Sequence, residues 1–115
     1  MTVICYHNPR CGKSRDTLKL LQDKGLAVEV IEYLKQPPST AELEHILDKL
    51  GMGPRQLMRK QEAPYKTNNL ADAQLDNATL IRIMVENPIL IERPIVLANG
   101  KAAIGRPPEA VLAIL

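Results

Sequence analysis

The chain has 115 residues, enough for one domain with a real core and with little room for a second domain. It is 45% hydrophobic and 24% charged, as globular proteins are, and its net charge of +2 favours neither nucleic acid nor a membrane as partner. No apolar run approaches the roughly 20 residues that cross a bilayer. MTVICY at the start lacks the charged lead of a secretory signal, so we expect a cytoplasmic protein, and we expect it to be a monomer.

The first part of the chain predicts a β–α–β unit. Residues 3–6 (VICY) are typical of a buried strand, and HNPRCG predicts the turn that ends it. Residues 14–24 carry leucines at helical spacing, and Gly25 follows as a helix stop. Residues 27–34 (AVEVIEYL) alternate apolar and polar side chains and predict a second strand. Strands joined by a helix are expected to be parallel, with a right-handed crossover.

A helical block follows these strands. Ser39 can cap a helix, Glu42 completes a capping box, and Gly51 ends the apolar stripe. Residues 53–61 (GPRQLMRKQ) predict another short helix, whereas residues 62–69 (EAPYKTNN) predict an irregular segment.

The last part predicts one more helix and then a hairpin. Asp76 or Asn77 caps a helix that stops before Pro88. PIVLANGKAAIG has two apolar segments around an Asn-Gly pair, the strongest short hairpin signal in the chain. RPPEAVLAIL predicts a C-terminal helix, with Pro107 or Pro108 near its first position.

This order of elements predicts an α/β protein with a thioredoxin-like fold. A β–α–β half and a β–β–α half would share a four-stranded mixed sheet. The helices at about 39–87 would be an insertion between the halves of a single domain, 1–115.

Cys11 lies where the first strand hands over to the first helix. A thiolate there faces unpaired backbone N–H groups, and Arg10, Lys13 and Arg15 are close in sequence. Such surroundings bring a cysteine pKa from about 8.5 into the ~3.5–7.5 range, so Cys11 is our candidate nucleophile. The alternative is a small residue that fills a turn. Cys5, inside the strand, is expected to be buried.

The residues around Cys11 exclude several motifs. Two cysteines are too few for a disulfide scaffold, and their spacing is poor for zinc, so no metal site is predicted. GKS imitates the end of a phosphate-binding loop, but His7 stands where that motif needs glycine. CGKS resembles a dithiol motif with Ser14 in place of the second thiol. His7 tunes the thiol, orients a substrate or is structural; Ser14 donates to the thiolate or caps the helix.

Four stretches of the chain resemble one known family. YHNPRCGKSR, LMRKQEAPY, NPILIERPIV and IGRPPEAVL occur in the order found in the ArsC-type arsenate reductases, which work with glutathione and glutaredoxin. The short length and VLANGKAAIGRPPE are more similar to the YfgD-type branch of that family.

The resemblance implies roles for individual residues. Cys11 aligns with the nucleophile that attacks arsenate or a similar oxyanion, and His7 and Ser14 match positions near the thiol. Three arginines match the positions that hold the oxyanion: Arg59, Arg93 and Arg106. Planar guanidinium groups suit such an oxyanion because they donate hydrogen bonds to its oxygens in pairs. The family implies no bound cofactor, glutathione as co-substrate and glutaredoxin as partner.

The resemblance also predicts a cis Arg93-Pro94 bond, because thioredoxin-type folds carry a cis-proline before the third strand. Two alternatives stay open. The chain is a redox-responsive regulator like the Spx-type proteins, which bind RNA polymerase and typically carry a second thiol where Ser14 stands. Otherwise it is a reductase of the same fold that acts on another thiol substrate, such as a glutathione mixed disulfide.

Overall fold

The structure, a computed structural model, describes residues 2–115. The chain forms two units. One contains the sheet and is built from the residues up to Gln36 together with Arg93–Leu115; the other, Pro37–Glu92, is helical.

The sheet unit has four strands in the order β2-β1-β3-β4. Their bounds are β1 Val3–His7, β2 Val28–Glu32, β3 Ile95–Ala98 and β4 Lys101–Ile104. β1 pairs with β2 in parallel, whereas β1–β3 and β3–β4 are antiparallel. The predicted four-stranded mixed sheet and the parallel β1–β2 pair are therefore confirmed.

Helix α1, Gly12–Asp23, follows β1. It packs against the C-terminal 3₁₀ helix, Pro108–Ile114. The aliphatic core of this unit is formed mainly by five fully buried side chains, Val3, Cys5, Leu21, Val96 and Val111. Cys5 is thus a core residue, as its place in the strand predicts.

Several local predictions of the sheet unit are confirmed and two need correction. The hairpin turn is formed by Asn99 and Gly100, with φ angles of 54° and 73°, as the Asn-Gly signal requires. The second strand is shorter than 27–34, since the chain turns after Glu32. The C-terminal segment is a 3₁₀ helix rather than the α-helix that its apolar spacing predicts.

The helical unit contains four α-helices and a 3₁₀ turn. Their bounds are α2 Thr40–Leu50, α3 Pro54–Leu57, α4 Ala63–Thr67, α5 Asn77–Glu86 and the turn Pro88–Leu90. The capping box is present, because the Ser39 side chain accepts from Glu42 N–H and the Glu42 carboxylate accepts from Ser39 N–H. Asp76 caps α5 by accepting from Thr79 N–H at 2.8 Å.

Two predictions in this unit are wrong. The helix predicted over 53–61 ends at Leu57, because the chain there pairs with a distant segment: Arg59 N–H donates to Leu90 C=O at 2.7 Å. The segment predicted as irregular forms α4, with Pro64 in its first turn, where a fixed φ angle favours a helix. Among residues 2–115, no helix is long and apolar enough to cross a membrane.

Candidate active site

Cys11 is the N-cap residue of α1, with extended backbone angles of φ −94° and ψ 124°. The preceding turn is closed by hydrogen bonds: Cys11 N–H donates to Asn8 C=O at 3.0 Å, and Arg10 N–H donates to the Asn8 side-chain oxygen at 3.0 Å. The Arg15 guanidinium donates to Pro9 C=O at 3.1 Å. The turn therefore fixes the thiol at the start of the helix, half-buried.

The surroundings of the sulfur lower the pKa of Cys11 to about 7. Partial burial raises it, but hydrogen bonds from Ser14 N–H, the Arg93 guanidinium and Lys13 N–H outweigh burial, and the positive charge of Arg93 adds to them. The N–H groups of Ser14 and Lys13 belong to the first turn of α1, where backbone N–H groups have no acceptor within the helix. A substantial fraction of Cys11 is therefore thiolate at neutral pH, the form that acts as nucleophile.

The cation at the sulfur is Arg93, and not Arg10, Lys13 or Arg15, which the sequence suggested from their proximity. Arg93 immediately precedes β3, the strand beside β1. The Arg93-Pro94 bond is cis, which confirms that prediction. Arg10, Lys13 and Arg15 are exposed to solvent. Arg93 reaches the thiol because β3, which it precedes, lies beside β1 in the sheet.

Arg106 lies beside Arg93 in the same unit. Its guanidinium is exposed to solvent and donates a hydrogen bond to Arg93 C=O at 3.2 Å. The bond between Arg106 and Pro107 is also cis, which the sequence did not predict. The structure thus links Arg106 to Arg93 and Arg93 to Cys11.

Gly105 is a structural residue of this site that the sequence analysis missed. A Cβ atom added to Gly105 would overlap the Thr17 hydroxyl and would lie 2.8 Å from Cγ of Pro94. The Thr17 hydroxyl donates to Gly105 C=O at 3.5 Å. Gly105 therefore lets α1, the cis-proline and the chain before Arg106 pack closely. The glycine in IGRPP was the available signal.

Ser14 and His7 are both buried near the thiol. The Ser14 hydroxyl accepts from Asn8 N–H at 3.3 Å, while its backbone N–H helps to lower the pKa of Cys11. The side chain of Ser14 thus stabilises the turn, and its backbone favours the thiolate. Burial lowers the pKa of His7; Glu32 opposes this effect and Arg15 adds to it.

Arg59 belongs to the helical unit, where two carboxylates hold its side chain. The guanidinium donates to Glu92 at 2.7 Å, and its Nε lies 3.6 Å from a Glu62 oxygen. The Arg59 side chain is 21% exposed. Neither acid is predicted from the sequence, although Arg59 and Glu62 have the i, i+3 spacing of a charge pair.

The two cysteines differ in reactivity. Both are free thiols, but burial in the core raises the pKa of Cys5 to about 12. Within the part of the chain that the structure describes, no three His, Cys, Asp or Glu side chains are grouped to hold a metal ion. Of the two thiols, Cys11 is therefore the one that ionises near neutral pH, and it lies beside Arg93.

Comparison with known proteins assigns the family. A profile described as the ArsC family matches residues 6–114. The chain belongs to the ArsC family. It is similar to the "Uncharacterized protein YfgD" of Escherichia coli (strain K12), 57% identical over 111 residues that cover 96% of this chain and 93% of that protein. The match confirms the predicted resemblance to the YfgD-type branch.

Other ArsC relatives carry a name that states an activity. An "Arsenate reductase" of Neisseria meningitidis is 50% identical over 111 residues, covering 96% of this chain and 95% of the relative. The solved structure "Arsenate reductase from Vibrio cholerae" has 52% identity and a TM-score of 0.96, and the match covers 100% of this chain and 98% of that one. The thioredoxin-like fold is thereby confirmed.

Proposed function

We propose that this ArsC protein is a thiol-dependent oxidoreductase that reduces arsenate to arsenite. One observation carries the proposal: the Cys11 sulfur, at the N-terminus of α1, accepts a hydrogen bond from the Arg93 guanidinium and has a pKa of about 7. A nucleophile and a cation for the incoming oxyanion are thus in contact. Relatives at 50% identity named arsenate reductase support the choice of substrate.

Arginines bind the oxyanion in this proposal. Arg93 and Arg106 both belong to the sheet unit, and they are linked because the Arg106 guanidinium donates a hydrogen bond to Arg93 C=O. Arg59 is the third arginine that the family resemblance assigns to the oxyanion. Charge-assisted hydrogen bonds from guanidinium groups stabilise the charge that builds on the oxygens as one of them leaves arsenic.

The first chemical step joins Cys11 to arsenic. The thiolate attacks As(V), an S–As bond forms, and one arsenate oxygen leaves with protons as water. Glutathione, acting as co-substrate, then attacks the Cys11 sulfur of the adduct. A disulfide forms between glutathione and Cys11, the S–As bond breaks, and its electron pair leaves with arsenic, which falls from the +5 to the +3 state as arsenite.

The resulting Cys11–glutathione disulfide needs a thiol from another molecule. Ser14 occupies the position of a local second thiol, and its hydroxyl accepts a hydrogen bond from Asn8 N–H. Cys5 is in the core, where burial raises the pKa of its thiol to about 12. Glutaredoxin is therefore the proposed partner: its thiolate attacks the glutathione sulfur and releases Cys11.

The test is arsenate reduction coupled to glutathione, glutaredoxin, glutathione reductase and NADPH. We expect the activity of Cys11→Ser to be at least about a thousandfold lower than that of the wild type, because the nucleophile is removed. Cys5→Ala, the matched thiol variant, should keep activity wherever it folds. Full activity of Cys11→Ser, or no arsenate-dependent NADPH oxidation by the wild type, would reject the proposal.

A second candidate uses the same site on a glutathione mixed disulfide. The observation that favours it is that nothing in the contact between Cys11 and Arg93 is specific to arsenic. A glutathionylated peptide assayed beside arsenate separates the two, because turnover of the peptide without turnover of arsenate selects the second candidate.

A further inference from the structure

A cleft in the sheet unit lies against the turn that carries Cys11. It has a volume of about 230 Å³ and opens between the turn after β1 and the turn after β2. The residues that the argument uses are His7, Asn8, Arg10, Glu32, Leu34 and Lys35. None of them has a role assigned by the chemistry above, apart from the expectation that His7 supports the thiol.

His7 is the first sign that the cleft binds a polar ligand. The residue is only 6% exposed, yet its Nδ1 atom is buried without a hydrogen-bond partner among residues 2–115. Buried ring nitrogens normally have a partner. Burial lowers the pKa of His7, so the imidazole is neutral at pH 7 and suits a neutral group such as a peptide N–H or C=O.

The charges around the cleft are the second sign. Arg10 and Lys35 are exposed cations, and the Glu32 carboxylate lies 3.7 Å from the Lys35 ammonium. Leu34 adds an apolar surface that is 39% exposed. A complementary ligand has two carboxylates and one ammonium group around a small neutral centre. Glutathione has this composition, with two peptide groups between its ends.

The position of the cleft relative to the thiol is the third sign. Arg10 immediately precedes Cys11, and Asn8, in the same wall, accepts a hydrogen bond from Cys11 N–H at 3.0 Å. Adjacent Cα atoms are about 3.8 Å apart. The thiol of glutathione is on its central residue, so a molecule held at both ends in this cleft has its sulfur beside the turn that leads into Cys11.

We propose that this cleft is the glutathione subsite, in which Arg10 and Lys35 pair with the two carboxylates, Glu32 with the ammonium group, and His7 with a peptide group. The inference rests on the proposed function, because it presents glutathione to the Cys11–arsenic adduct. In that step the glutathione thiol bonds to the Cys11 sulfur, the S–As electron pair leaves with arsenic, and the thiol proton goes to an arsenite oxygen.

Binding is tested without chemistry, on Cys11→Ser protein with S-methylglutathione. Nitrogen-15 NMR of the imidazole rings should show a shift of His7 Nδ1, together with backbone amide shifts at Arg10 and Lys35. His45, an exposed residue of α2, is the internal control and should not shift. No shift at His7 up to about 10 mM ligand, or shifts confined to another face, would overturn the proposal.

Kinetics test the charges. The double variant Arg10→Gln/Lys35→Gln should raise KM for glutathione about fivefold or more, with kcat and the KM for arsenate within about twofold. The control is Arg82→Gln/Lys101→Gln, which removes two exposed cations elsewhere. An unchanged KM for glutathione, or an equal rise in both KM values, would overturn the subsite.

The two proposals fail in different ways. Protection of Cys11 from alkylation by arsenate tests the first chemical step alone. If arsenate neither protects nor is reduced but S-methylglutathione still shifts His7, the proposed function fails and the subsite stands. If arsenate reduction is normal and His7 does not shift, the subsite alone is wrong.

Discussion

The Arg93 guanidinium donates a hydrogen bond to the sulfur of Cys11. This contact joins the entrance of β3 to the start of α1, so the acidity of the thiol depends on the assembled sheet. The positive charge and the N–H groups of Ser14 and Lys13 together overcome the effect of partial burial. Replacing Arg93 separates its hydrogen bond and charge from the contribution of the two backbone N–H groups.

Arg93→Gln should raise the pKa of Cys11 from about 7 toward the ordinary value of a free thiol. The thiolate is the reactive form, so its fraction at pH 7 falls as the pKa rises, and alkylation slows. The measurement is the rate of iodoacetamide alkylation against pH. Arg106→Gln is the comparison variant, because it removes a neighbouring guanidinium group whose hydrogen bond goes to Arg93 C=O. Equal midpoints for Arg93→Gln and wild type would contradict the assignment.

Cys11 should be labelled selectively in the folded wild-type protein. Its alkylation rate should rise with pH through about 7 and level off above it, because the group ionises there. Cys5 is fully buried, and its pKa of about 12 keeps it protonated. Peptide mapping after brief alkylation at neutral pH reads both sites. Labelling of Cys5 at a rate similar to Cys11, without denaturant, would show that the core position is wrong.

Ser14→Ala should destabilise the protein by about 1–3 kcal/mol, because the variant leaves the buried N–H of Asn8 without its hydroxyl acceptor. Its effect on the Cys11 alkylation midpoint should be small, since Ser14 reaches the sulfur through its backbone N–H. Urea unfolding and pH-dependent alkylation measure the two effects. A large rise in the midpoint with unchanged stability would instead assign the hydroxyl to the thiolate.

Gly105→Ala should destabilise the sheet unit by about 1–3 kcal/mol, the usual effect of forcing atoms into a filled space. The added methyl would collide with the Thr17 hydroxyl and with the Pro94 ring, 2.8 Å away. Gly12→Ala is the control for stability, because its nearest contact, at 3.8 Å from the Arg15 guanidinium, leaves room for the methyl group. Chemical denaturation compares them; equal stability of both variants would refute the close packing.

The sequence predicted correctly those parts of the fold that depend only on residues adjacent in the chain. The Ser39 capping box and the Asn99-Gly100 turn each need only neighbouring residues, and both formed as predicted. The helix predicted over 53–61 failed at Met58, because residues there pair with Ile91, and a single sequence does not show such a partner. Tertiary pairing outweighed helix propensity.

The same limit applies to the candidate site. The position of Cys11 at a helix start follows from its neighbours, so the sequence alone was enough to name it as the candidate nucleophile. The source of the charge was not, since Arg10, Lys13 and Arg15 are adjacent in sequence whereas Arg93 reaches the sulfur through the sheet. Only the family resemblance pointed to Arg93. Neither sequence proximity nor the family resemblance pointed to the contact between the Glu92 carboxylate and Arg59.

Glu92→Gln should destabilise the helical unit by about 1 kcal/mol. The Arg59–Glu92 contact is 2.7 Å long, and the two side chains are only 21% and 28% exposed, so it is less screened than a surface pair. The backbone supports the same contact, because Arg59 N–H donates to Leu90 C=O.

The matched control is Glu86→Gln, which breaks the 3.1 Å pair with Arg82 on α5. Those side chains are 58% and 57% exposed, so the loss should stay within about 0.5 kcal/mol. Thermal and urea unfolding of both variants give the comparison. If Glu92→Gln is no less stable than Glu86→Gln, the Arg59–Glu92 pair does not hold the arginine. The position of Arg59 would then depend on Glu62, 3.6 Å from its Nε, and on the backbone hydrogen bond to Leu90 C=O.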